Sequence, residues 1–169
     1  MVYHLARNKK SNVMQYTIVV LIVIFLFALI SITAKEVIDE LNDDIQADAD
    51  FDADAKAQVS DLQSRYPGLM DGGFVMVFLL IWSVGIVVAL MVRSHPVMYI
   101  FMIILFTFMI FVSAELANSY DDMVTGDVTF TTVPTDFPMM HHLLTHLVTY
   151  IIVMGFTIIL TMYAKGRYG

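Results

Sequence analysis

Four uninterrupted apolar runs constrain this chain more than anything else in it. They cover roughly residues 14–34, 74–92, 97–117 and 143–163. The hydrocarbon core of a bilayer is about 30 Å thick and takes about 20 residues of helix to cross, so each run has the length of a span. The first two contain no charged residue, the third has Glu115 near its end, and the fourth has His146 as its one ionisable group besides tyrosines. The hydrophobic fraction of 59% and the mean hydropathy of +0.76 exceed the roughly 45–50% of a soluble domain. A soluble fold of this size would have too little polar surface to cover its core. Backbone polar groups in hydrocarbon must bond within their own segment, which selects helices. The expected fold is therefore all-α: a polytopic membrane protein with four transmembrane helices in an up-down bundle.

The breaks between runs use the residues that helix ends require. Ser94, His95 and Pro96 join spans two and three, with Ser94 suited to cap a helix and Pro96 to its first turn. Asp136, Phe137 and Pro138 stand ahead of span four, whose helix is expected to begin about one turn outside the membrane. Pro67-Gly68 and Gly72-Gly73 are expected to interrupt the chain before span two. The basic flank of span one (Arg7, Lys9, Lys10) resembles that of a secretory signal. Its apolar run is longer than the roughly 7–15 residues of a signal core, and the segment is read as an anchor.

Charge sets the orientation. Six bases lie in the N-terminal segment 1–13, the short loop 93–96 and the C-terminal segment 164–169, against three (Lys35, Lys56, Arg65) on the other side. The positive-inside rule places both termini inside. All sixteen acids fall within 36–71 or 115–136, on the opposite side by this reading.

The larger outer segment, 35–73, repeats Ile38, Leu41 and Ile45 at helical spacing, then Phe51, Ala55, Val59, Leu62 and Tyr66. This pattern predicts an acidic helical hairpin that continues span one outward and returns toward Pro67. Asp48, Asp50 and Asp52 match the first three ligand positions of a calcium loop. The match then breaks, because Ala53 stands where the turn needs Gly and Val59 where a bidentate acid is needed. The second outer segment, 118–142, contains the start of the last helix. Its Val128–Val133 stretch partly alternates, predicting a short strand or an extended loop.

Chemistry-bearing residues are few. The cluster Met139-Met140-His141-His142 is followed by His146, four residues after His142 and on the same helical face. Thioether and imidazole together suit copper, which makes His141, His142 and His146 the candidate metal ligands. Glu115 is a candidate ion-pair partner for His146 at the interface. Gly85 and Ala89 form a small-x-x-x-small pair that permits close helix approach, and Gly155 offers the same in span four. No nucleophile elbow, His-Glu-x-x-His or phosphate loop occurs, so no catalytic residue or cofactor is expected and the chain is read as a non-enzyme. No cysteine is present, which excludes disulfides and thiolate sites. The net charge of −7 argues against a nucleic-acid partner, whose phosphates need a basic face.

The loop His95-Pro96-Val97, the exit Ala117-Asn118-Ser119-Tyr120-Asp121-Asp122, and the run from Phe137-Pro138 to Tyr163-Ala164-Lys165 resemble small integral membrane proteins of tailless icosahedral phages that carry an internal lipid membrane. The resemblance covers about 70 residues, and no functional residue carries over. It implies a vesicle protein linking lipid to a capsid lattice. The first expectation is thus a structural membrane protein presenting an acidic outer surface to other membrane or capsid proteins within a larger assembly. The alternatives are a copper-handling membrane subunit and a channel or lysis pore. The absence of mid-span charge weighs against a water-lined pore.

Overall fold

In a computed structural model, residues 3–91, 96–126 and 130–168 are described. They form six helices: α1 (Tyr3–Ala47), α2 (Ala53–Met91), α3 (Pro96–Gly126), α4 (Val133–Asp136), α5 (Pro138–Thr145) and α6 (Leu147–Tyr168). Four of these elements, α1, α2, α3 and α6, contain windows long and apolar enough to cross a bilayer. The chain is an all-helical, polytopic integral membrane protein, as the apolar runs require.

The acidic hairpin is present and is built from the two longest helices. At ~1.5 Å rise per residue, the 45 residues of α1 reach roughly 68 Å, about twice the thickness of a hydrocarbon core. The excess projects as the hairpin. Its tip is closed locally. The Asp48 carboxylate accepts the Asp50 N–H at 2.8 Å, and the Asp52 carboxylate accepts the Ala55 N–H at 2.7 Å, capping α2. Gln46 and Lys56 exchange side-chain-to-carbonyl bonds of 3.0 and 3.1 Å across it. Two of the acids that resemble a calcium loop are thus engaged by backbone N–H groups.

Three expectations need correction. Pro67, Gly68, Gly72 and Gly73 do not interrupt the chain, because α2 runs through all four. Proline forfeits one helical hydrogen bond and crowds the preceding turn, but packing on α1 holds the segment in line. The Tyr66 hydroxyl, beside Pro67, donates to the Ser31 carbonyl of α1 at 3.1 Å. The suggested strand is not seen: Phe130 to Val133 passes through tight turns into α4, and no strand occurs among the described residues. Residues 127–129 and Ser94 lie outside them. Finally, the fourth run is not one helix. It is divided at His146, whose φ of −105° and ψ of 23° separate α5 from α6.

With only residues 93–96 joining them in an up-down bundle, spans two and three are expected to be antiparallel neighbours. Among the described residues, α3 packs chiefly on α6, and α2 packs first on α1 and then on α6, so α6 stands between α2 and α3. The Trp82 indole N–H donates to the Thr157 hydroxyl at 3.0 Å, tying α2 to α6. The Tyr99 hydroxyl donates to the Met162 carbonyl at 3.0 Å, tying α3 to α6.

The buried core runs along the bundle from Leu21 and Ile151 upward, and its most completely buried large side chains gather at the acidic end. Tyr120, Phe74, Phe137, Ile32, Met140, Leu144 and Val133 are all less than 2% exposed, and they come together where α4 and α5 close over α1, α2 and α3. Only 17% of the apolar window is buried within the monomer for α2 and for α3, so most of their surface is left for lipid.

Candidate functional site

The α4–α5 segment and the helices beneath it bring together the polar groups that fasten the bundle at the base of the hairpin. Pro138 opens α5 at a position where its missing N–H costs nothing. The next two N–H groups would be orphaned in an apolar setting. Asp71 of α2, only 5% exposed, takes both: its Oδ2 accepts from Met139 N at 3.1 Å and its Oδ1 from Met140 N at 2.6 Å. A carboxylate is well matched to the positive end of a helix dipole. Asp136, the acid nearest in sequence, does not cap α5. It turns to Lys35 of α1, 3.1 Å away, and Lys35 also bonds Asp39 in the next turn of α1. Two acids from distant parts of the chain therefore fasten the segment to the bundle.

The histidines are sorted by helical geometry. His141 lies on the inward side of α5, where its Nδ1 is 3.0 Å from the hydroxyl of the fully buried Tyr120 of α3. Burial pushes the His141 imidazole below its ordinary pKa. Asp121 opposes this shift, and His142 and His146 reinforce it. A neutral imidazole with its proton on Nε2 lets Nδ1 accept from the tyrosine. His142 and His146 are exposed, with ring centroids 4.5 Å apart and planes inclined by 34°. Tyr150 of α6 meets the His142 ring edge-on at 6.1 Å. His146 Nδ1 is 3.0 Å from the His142 carbonyl oxygen, a contact that requires Nδ1 to carry the proton.

Of the three expected metal ligands, the structure brings two together and turns His141 away. Among the described residues, no group of three His, Cys, Asp or Glu side chains stands close enough to hold a metal ion. The expected Glu115–His146 ion pair is absent. Glu115 is exposed, about 200° around α3 from the buried Ser113, at ~100° per residue, while Nδ1 of His146 is engaged by its own helix. The packing residues fall where their size predicts. A Cβ on Gly155 would lie 1.8 Å from Cε1 of Phe106, and one on Gly85 would lie 3.0 Å from Cδ1 of Ile158; Ala89 is buried. Both glycines serve close approach of α6 within one chain.

Sequence reasoning missed Asp71 and Tyr120. A usable signal for Asp71 was its place as the last acid before span two, at a depth where an unpartnered carboxylate is costly. Tyr120 carries no such mark. Compared with known protein families, curated proteins and solved structures, the chain finds no match.

Proposed function

We propose that this protein is a non-enzymatic structural component of a membrane, whose acidic hairpin is a docking surface for partner proteins in a larger assembly. One observation carries the reading. The hairpin extends two helices well beyond the apolar windows, and residues 35–72 hold eleven acids against three bases. Within the same segment Val37 is 58% and Leu41 47% exposed, apolar surface that lies past the Lys35–Asp136 contact and has no lipid to cover it. The fastening of α1 by Lys35 to Asp136, and of α2 by Asp71 to α5, holds the base of the hairpin at a fixed orientation. Fixed presentation lowers the ordering cost of association.

The basic flanks support an arrangement with both termini on the inner face and the hairpin outside. The resemblance of the third and fourth spans supports a virion membrane as the setting, with the hairpin facing a capsid lattice. The test is site-specific photo-crosslinking from position 41 in the native membrane. A discrete heavier adduct, lost when Asp43, Asp44 and Asp48 are changed to Asn, is the expected outcome. Only uncrosslinked monomer, or an adduct indifferent to those acids, would remove the docking role.

A further inference from the structure

We infer that His142 and His146 form a two-imidazole binding site for a borderline transition-metal dication, copper(II) foremost. The inference is independent of the docking role proposed for the hairpin and rests on the segment at its base.

Helix α5 and the turn after it divide the Met-His cluster into two faces. The inward face takes Met140, which is fully buried and whose N–H is held by Asp71, and His141, whose Nδ1 is taken by Tyr120. The outward face keeps Met139, His142 and His146, spaced by three and then four residues on one stripe, with Met139 58% exposed. Exposure spares these two imidazoles the desolvation that burial imposes.

The tautomer of His146 is fixed in the form a metal needs. A carbonyl oxygen can only accept, so the 3.0 Å contact with the His142 carbonyl puts the proton on Nδ1 and leaves the Nε2 lone pair free. Orienting a ligating histidine by a bond from its other ring nitrogen to a backbone carbonyl is the usual support around metal sites. The two rings lie against each other, with centroids 4.5 Å apart and planes inclined by 34°. Two metal–nitrogen bonds of about 2.0–2.1 Å span nitrogens up to about 4 Å apart, a reach that rings with centroids 4.5 Å apart meet by rotation of the exposed His142 side chain. Divalent affinity at nitrogen donors peaks at copper(II), and a thioether on the same stripe favours copper further when it is reduced. With only two protein nitrogens the remaining positions fall to water, which suits reversible binding over a structural role.

The test is titration of the full chain in detergent with copper(II), read by calorimetry and electron paramagnetic resonance. It uses a His4→Gln/His95→Gln background so that the other two imidazoles do not compete. One ion per chain is expected, with a signal from two coordinated imidazole nitrogens. His142→Gln and His146→Gln should each weaken binding about tenfold or more and reduce the signal to one nitrogen. His141→Gln should leave both readouts unchanged. No binding in the background chain, or equal loss in all three variants, would overturn the assignment.

Discussion

At the scale of single residues, Asp71 shows how far a helix cap can lie from its helix. Its two oxygens satisfy Met139 N and Met140 N from 68 and 69 residues away. Changing Asp71 to Ala would strand both N–H groups in the packed end of the bundle. At about 1–3 kcal/mol for an unsatisfied buried group, and less for Met139 N, whose bond is only part-buried, the expected loss is about 2–4 kcal/mol, read as a lower unfolding midpoint in detergent or nanodiscs. Asp71→Asn keeps one acceptor oxygen and should lose roughly half as much. Equal midpoints for wild type and the Ala variant would show that the cap is not a support of the fold. His141 gives a pH dependence whose sign follows from its burial. The folded state holds its imidazole below the unfolded value of about 6.5, so the unfolded chain binds the extra proton first. The stability contributed by neutral His141 is complete above pH ~6.5 and declines as the pH falls through that value toward the folded pKa. His141→Gln has no proton to gain, and its unfolding midpoint should fall less steeply between pH 7.5 and 5.5; identical slopes would contradict this origin.

Among the elements, α6 joins α2 to α3, and glycines let it approach both closely. Gly155 admits the Phe106 ring so closely that an added methyl would lie 1.8 Å from it. Gly155→Ala should therefore cost about 1–3 kcal/mol by overpacking, and a second change, Phe106→Ala, should restore part of that loss by removing the clashing ring. Additive losses in the double variant would mean the two residues do not meet. Gly85→Ala faces only the flexible end of Ile158 at 3.0 Å and should cost less. This contrast also marks what could be read from sequence. Apolar runs and their charged flanks made the number of spans legible, because hydrocarbon imposes its demand on every residue of a span independently. The hairpin was legible for a similar local reason. Which span packs on which was not, since Gly85 and Gly155 announce close approach without naming the partner. The candidate site was legible as composition and illegible as geometry: the ~100° step between adjacent helical residues turns His141 toward Tyr120 and leaves His142 outward with His146, and Asp71 caps a helix that local signals assigned to Asp136. Continuity of α2 through Pro67 was likewise decided by packing on α1 and not by the proline.

For the molecule as a whole, polar fastening, tight packing and acidic charge are concentrated at one end, while the spans meet lipid over most of their length. The Trp82–Thr157, Tyr99–Met162 and Lys165–Leu90 bonds tie α6 laterally, and bonds between side chains of this kind in a bilayer contribute about 0.6–1.7 kcal/mol each. Such a molecule keeps its arrangement through the direction in which each helix crosses as much as through side-to-side contact. An even number of spans returns the chain to the face it started from, with the hairpin tip opposite. Because the chain has no cysteine, single cysteines report this directly. Ala49→Cys at the tip and Ala6→Cys near the N-terminus can be exposed in intact cells to a maleimide that does not cross membranes. The tip should be labelled at once, and the N-terminal position only after the membrane is opened; Ala164→Cys should behave like Ala6→Cys. Labelling of all three from outside would show a permeabilised membrane, as a pore would produce. Labelling of both terminal positions and not the tip would mean the opposite insertion, and the acidic surface would then face partners inside the cell. Labelling of one terminus and not the other would mean an odd number of crossings and would overturn the four-span topology.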